Sequence, residues 1–287
     1  VISYLQAVVL GLLQGFSELF PISSLGHAVV LPSLLGWKIN QNDPFFLTFL
    51  VGVHLATALV LVGFFASDWV RIVRGLVRSI GRRRIDDNDS DARLAWLLIA
   101  GTIPAGLLGL AFEHTLREIF ASAQAAAVFL ALNGIMLYGA EQLRRRAFVS
   151  DTEGDADTRI SQRISLQQAF AVGAVQVLAL IPGFSRSGAA MGGGLLAGLS
   201  NRDAARFAFL LATPIIAAAA VLKLPALLGP QGDGVRGQAL VGAICAGVTA
   251  YLAVRFLMRF FETNRLTPFA IYSFVAGVLL SIYFAVS

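Results

Sequence analysis

Between Gln14 and His27 the chain reads QGFSELFPISSLGH, which places a carboxylate (Glu18), an amide (Gln14), two adjacent hydroxyls (Ser23, Ser24) and an imidazole (His27) in apolar surroundings. Glu18 is the only charged side chain before Lys38. An ionised group in hydrocarbon costs several kcal/mol unless it is paired, metal-bound or facing a wet cavity, so Glu18 marks a functional site by default. Gln14 and Glu18 stand four apart, on one helical face, where both oxygens can address a hard cation such as Mg²⁺ or Ca²⁺. The alternative is a buried carboxylate paired only with Arg186. Ser24 and His27 are three apart, close enough for the imidazole to take the hydroxyl proton. Small hydroxyl residues in membrane helices usually serve packing and local hydrogen bonds. Four polar groups crowded beside a helix break argue for chemistry instead.

A second stretch, Pro182-Gly183-Phe184-Ser185-Arg186-Ser187-Gly188, has the parts of an anion site. Gly183 lets backbone approach a ligand, Ser185 and Ser187 supply hydroxyl donors, and Arg186 offers a bidentate fork matched to phosphate oxygens. With Ser23, these residues are the candidate substrate contacts. Gly192-Gly193-Gly194 reads as a helix-packing element. His54, in an ordinary apolar span, and His114, in an outer loop, are expected to be structural or solvated.

The elements that must position these groups follow from composition. Of 287 residues 57% are hydrophobic and 14% charged, and the mean hydropathy is +0.75. The class is an all-α polytopic membrane protein. Apolar runs at Pro44 to Phe65, Leu94 to Phe112, Ala121 to Ala140, Ala204 to Leu224, Ala239 to Leu257 and Thr267 to Val286 read as spans. The regions Ile2 to Trp37 and Leu166 to Leu199 are too long for one crossing, and Pro21 and Pro182 interrupt them. Both read as re-entrant hairpins, since a break at membrane depth is tolerated only where it lines a cavity or is buried in protein. The basic balance reports cytoplasmic loops, not nucleic-acid binding. Arginines cluster between Arg71 and Arg93 and between Arg144 and Arg163, which assigns both segments to the cytoplasm and the hairpin mouth of the first half, with both termini, to the outside. Cys245 is the only cysteine, so no disulfide forms within the chain.

Each half is thus one hairpin followed by three spans, and an odd number of spans inverts the second half relative to the first. The expected division is one membrane domain over 1–287: repeat 1 over about 1–143, a cytoplasmic linker over about 144–164, and repeat 2 over about 165–287. QGFSELFPISSLG aligns without a gap to QVLALIPGFSRSG, matching Gln14 with Gln176, Ser23 with Ser185 and Gly26 with Gly188. Hairpins entering from opposite faces meet near the midplane and bring Glu18 to Arg186.

At these motifs the chain resembles the undecaprenyl-diphosphate phosphatase, or bacitracin-resistance, family along essentially its whole length. The carriers are the (E/Q)-x-x-x-E pattern at Gln14 and Glu18, the P-x-S-S-x-G-H run at Pro21 to His27 and the P-G-x-S-R-S-G run at Pro182 to Gly188. The resemblance implies hydrolysis of the terminal phosphate of undecaprenyl diphosphate to give the monophosphate carrier of cell-wall synthesis, with a divalent cation. It also implies a bacterial inner-membrane location, a site open to the periplasm and a homodimer. Carried over by position, it gives metal or acid–base work to Glu18 with Gln14, a nucleophilic or substrate-contacting role to Ser24, proton transfer to His27 and diphosphate binding to Arg186. Gln14 stands where many members carry a second glutamate, and Leu25 and Phe184 where threonine is frequent. Attack by Ser24 and attack by a metal-bound water are both compatible with this residue set. Inverted repeats with broken helices also suit a lipid flippase or transporter, which needs an anion site but no nucleophile.

Overall fold

The computed structural model describes residues 2–40, 43–86, 88–119, 122–146 and 154–286, and among them there are helices and no strands. Among the described residues six helices are long and apolar enough to cross a membrane: α3 (Pro44–Phe64), α5 (Ser90–Ile119), α6 (Ala123–Arg146), α10 (Asn201–Leu228), α11 (Arg236–Phe260) and α12 (Thr267–Val286). They are the six spans expected from sequence. The two interrupted regions are α1 (Tyr4–Leu19) with α2 (Ser24–Leu34), and α8 (Leu166–Val175) with α9 (Arg186–Leu196). Between α8 and α9 the chain tightens into a 3₁₀ turn over Gln176–Leu180 before Pro182 stops it.

Two segments read as loops are folded. The basic stretch after the first full span forms α4 (Ala66–Arg82), ended by Arg83 in the left-handed region. Val70, Val73, Val77 and Ile80 are exposed along one face of it, with Arg74, Arg78 and Arg82 in the same turns. Apolar groups at this spacing beside arginines suit a helix lying in the membrane interface, a periodicity masked by the high charge. In the expected linker, α7 (Ala156–Arg163) follows residues 147–153, which lie outside the described set. Its buried Asp157 accepts from Arg71 at 2.7 Å and from Arg206 at 2.8 and 3.0 Å, tying α4, α7 and α10 together. That hydrogen bond raises the pKa of Arg71 above its ordinary value.

The two halves repeat each other in detail. Ser3 and Gln6 form a capping box at the start of α1, and Ser165 and Gln168 form one at the start of α8. Ser23 caps α2 by accepting from the Gly26 amide, and Ser185 caps α9 by accepting from the Gly188 amide. The two serine caps and their glycines coincide in the gapless alignment, and the two capping boxes fall at the same register when it is extended toward the N-terminus. The packing exchanges partners between halves: Gly11 of α1 lies against the backbone of Gly242 in α11, while Gly173 of α8 lies against that of Gly101 in α5. Between α6 and α12 the contact is reciprocal, with Gly134 against Ala270 and Phe274, and Gly277 against Ala127 and Ala131. Close backbone approach at small residues is how apolar helices associate where no hydrophobic effect separates protein from lipid.

α10 sits at the centre, with Phe207, Ala208, Phe209, Leu210 and Leu211 at 0% exposure, and α3 and α9 pack on it. On the periphery Leu240, Ile244, Val248, Leu252 and Phe256 make an exposed stripe at every fourth position of α11, the pattern of a lipid-facing helix.

Candidate active site

The hairpins meet at their breaks. In the first, Pro21 ends α1 and Ser23 turns at a positive φ of 70°; in the second, Gly183 turns at φ 109°. A Cβ at Gly183 would run into the backbone of Ala126 and Leu130 in α6, so only glycine fits that position. The Gly183 amide donates to Ser23 Oγ at 3.2 Å. Ser187 Oγ donates to the Phe20 carbonyl at 3.1 Å, and Ser185 and Ser187 share a 3.0 Å hydrogen bond.

These bonds place Ser23, Gly183, Ser185 and Ser187, the candidate substrate contacts, in the joint between the two breaks. All three hydroxyls are buried and engaged in joining one break to the other. Asn133 of α6, at 0% exposure, completes the joint: its Nδ2 donates to the Pro21 carbonyl at 3.0 Å and its Oδ1 accepts from the Ser185 amide at 3.1 Å. Sequence reasoning passed over Asn133. The available signal was an amide in the middle of an apolar span, whose both ends need partners when buried.

Around this joint the charged groups converge. Arg186, the first residue of α9, donates through Nη2 to Glu18 Oε1 near the end of α1, as the repeat alignment requires. The opposite oxygen, Glu18 Oε2, accepts from Ser24 Oγ at 2.6 Å and from Gln14 Nε2 at 2.8 Å. His54 of α3, expected to be structural, places Nε2 3.6 Å from the same oxygen, while its Nδ1 lies 2.8 Å from the Leu50 carbonyl. A carbonyl only accepts, so Nδ1 carries a proton and Nε2 faces Glu18 favourably when it carries one too.

His27 does not pair with Ser24. Its Nδ1 lies 2.7 Å from the Ser23 carbonyl, which again fixes a proton there, and its Nε2 shares a 2.9 Å hydrogen bond with the Tyr272 hydroxyl. Tyr272, on α12, is a further residue that sequence reasoning missed; an interfacial-looking tyrosine gives no periodic signal. The base set against the Ser24 hydroxyl is therefore Glu18.

The expected cation face also differs in arrangement. Gln14 turns its amide nitrogen, not its oxygen, toward Glu18, and the carboxylate is ringed by donors from Arg186, Gln14 and Ser24. Among the described residues no group of three or more His, Cys, Asp or Glu side chains is arranged to hold a metal. In this arrangement Glu18 accepts from three donors, and Gln14 would have to turn its amide over to offer its oxygen to a hard cation beside the carboxylate.

Residues 7–279 match the family model described as bacitracin resistance protein BacA. The chain belongs to this family. A Frankia alni protein called undecaprenyl-diphosphatase 2 is 45% identical over 100% of this chain and 99% of its own length. An undecaprenyl-diphosphatase of Mycolicibacterium paratuberculosis is 51% identical over 96% of this chain and 95% of its own length. One from Chromobacterium violaceum is 45% identical over 96% of both. In this BacA family member the matched stretch contains both hairpin breaks and every group of the Glu18 cluster.

Proposed function

We propose that this protein is an undecaprenyl-diphosphate phosphatase, removing the terminal phosphate of a polyprenyl diphosphate at the junction of the two hairpins. The observation that carries the reading is a hydroxyl held on a carboxylate beside an arginine fork. Ser24 Oγ donates to Glu18 Oε2, and Arg186, whose planar donors match phosphate oxygens, reaches the other oxygen. A flippase built on the same repeat has use for the arginine but none for a serine presented to a base.

In the reaction proposed, the diphosphate takes over the Arg186 donors, leaving Glu18 more basic toward Ser24. Ser24 Oγ attacks the terminal phosphorus as its proton passes to Glu18 Oε2, and the bond to the bridging oxygen breaks to release the lipid monophosphate. Arg186 offsets the charge that develops on the transferred group. Water then attacks the phosphoserine, its proton passing to His27 Nε2 once Tyr272 swings off, and the bond from phosphorus to Ser24 Oγ breaks as Glu18 returns its proton to Oγ, releasing inorganic phosphate. Gln14 and His54 orient the carboxylate. Glu18 and Gln14 would hold a divalent cation, Mg²⁺ or Ca²⁺, in this reading, and the cation would offset charge on the diphosphate.

We further infer a plasma-membrane location in bacteria with the site opening to the periplasm, as the arginine asymmetry supports. Cysteines introduced at Thr115 and Asp233 are expected to react with an impermeant thiol reagent from outside, and one at Asn88 only after the membrane is opened; the reverse pattern contradicts the orientation. For the reaction, phosphate released from undecaprenyl diphosphate by purified protein is the decisive assay. Ser24→Ala and Arg186→Ala are each expected to reduce kcat/KM by about 10³-fold or more, roughly 4 kcal/mol of transition-state stabilisation. Near-native turnover in Ser24→Ala would rule out the serine as nucleophile.

A further inference from the structure

Helices α11 and α12 follow each other in the chain yet pack on different partners, α11 along α1 and α3, and α12 along α6. The seam between the two groups is filled by aromatic rings. Phe20, in the break of the first hairpin, stacks on Phe16 of α1 at 4.0 Å and on Phe256 of α11 at 5.9 Å, and meets Phe269 of α12 edge-on at 5.5 Å. Phe260 closes the group, 5.5 Å from Phe256 and 5.4 Å from Phe269. Three residues after Phe269, Tyr272 lies nearly parallel to the His27 ring, with centroids 5.9 Å apart. The rings therefore lead from the reactive end of the first hairpin into the seam.

The inner and outer margins of the seam differ. Phe20 is buried two positions after Glu18, and its carbonyl is held by Ser187. Phe16, Phe256 and Tyr272 are exposed on the outer side, toward lipid. Along α11 the exposed stripe is aliphatic at Leu240, Ile244, Val248 and Leu252 and turns aromatic at Phe256, where it reaches the seam. An aliphatic helix face offers a hydrocarbon chain nothing that neighbouring lipid does not, because no hydrophobic effect separates protein from lipid. Within a membrane a chain is selected by shape and dispersion, which require rigid surfaces on more than one side of it. Phenylalanine rings from three helices around one seam supply such surfaces. The flat, methyl-bearing double bond that recurs in every isoprene unit packs on a ring face as a straight acyl chain does not. A diphosphate held between Ser24 and Arg186 also has its tail at the mouth of this seam, since the rings start at His27 and at Phe20.

We propose that this seam seats the first isoprene units of the substrate's tail, which leaves the junction past Tyr272 and lies over Phe16, Phe20 and Phe256. The inference rests on the reading of the hairpin junction as the diphosphate site. It is tested on the full protein in a neutral detergent with a farnesyl diphosphate analogue whose terminal isoprene carries a diazirine, irradiated and mapped by peptide mass spectrometry. Adducts are expected on Phe16, Phe256 or Tyr272, and excess undecaprenyl diphosphate is expected to remove them. Absence of seam adducts, adducts spread along the aliphatic stripe of α11, or seam adducts that excess substrate does not remove overturn the proposal. In parallel, Phe16→Leu with Phe256→Leu is expected to raise KM for undecaprenyl diphosphate about 10-fold, as two lost aromatic contacts would, with the loss falling on KM rather than kcat. The control, Leu240→Ala with Ile244→Ala on the aliphatic stripe, is expected to leave KM unchanged. An unchanged KM in the phenylalanine variant, or an equal rise in the control, also contradicts the seat. Competed labelling of the seam without phosphate release would leave the seat standing and sink the reaction, whereas phosphate release without seam labelling does the reverse.

Discussion

The two hairpin breaks share one scaffold and divide the chemistry between them. Both start from a Ser-x-x-Gln capping box, both place a serine cap before a glycine amide, and both carry glutamine at the same register, Gln14 and Gln176. The alignment then sets Glu18 against Leu180, Ser24 against Arg186 and His27 against Ala189. The consequence is visible in the glutamines. Gln14 donates to Glu18 at 2.8 Å, whereas Gln176, with leucine four positions on, makes only a 3.5 Å bond to the Val172 carbonyl and leaves its buried Oε1 without a partner. Duplication supplies a frame in which two breaks face each other; unequal substitution at three matched positions puts the acid and hydroxyl on one and the cation on the other.

If that division is right, the joint between the breaks should matter to turnover almost as much as the reactive groups. Asn133→Leu removes the donor to Pro21 and the acceptor for Ser185, leaving two buried backbone groups unpaired at about 1–3 kcal/mol each. The apparent melting temperature in detergent is expected to fall, and kcat/KM for the lipid diphosphate by roughly 10- to 100-fold. A lower melting temperature with unchanged kinetics would show that the two breaks work without being held together by α6.

A smaller effect separates the two glutamines. Gln14→Leu takes a hydrogen bond from a carboxylate, worth about 1.5 kcal/mol, and should lower kcat/KM by roughly 10-fold. Gln176→Leu removes an amide that is buried and poorly bonded, so both stability and kinetics should hold or improve slightly. Equal losses in the two variants, measured side by side, would mean the register is used alike in both halves.

Much of this arrangement was legible in the chain. Six spans, two interrupted hairpins and the meeting of Glu18 with Arg186 follow from apolar run lengths, from Pro21 and Pro182, and from the gapless match of the two motifs. What escaped lies in contacts that sequence spacing does not encode. His27 is three residues from Ser24, yet the positive φ of Ser23 turns the ring toward the Ser23 carbonyl and Tyr272, 245 positions away. Asn133 and His54 reach the site from α6 and α3, elements whose apolar patterns announce only that they span. The α4 helix was hidden because six arginines between Arg71 and Arg84 outweigh its valines in any composition window.

The central claim is that Glu18 and Arg186, 168 positions apart, form one site. A double-mutant cycle on kcat/KM tests it with variants mild enough to leave measurable turnover: Glu18→Asp, Arg186→Lys and the pair. Arg186→Lys keeps the charge but loses the fork and should alone cost about 100-fold, roughly 2.7 kcal/mol. Because each change spoils the same contact, the double variant is expected to fall short of the sum of the single losses by more than about 1 kcal/mol. Losses that add to within about 0.5 kcal/mol would place the two residues in separate sites and contradict the composite junction.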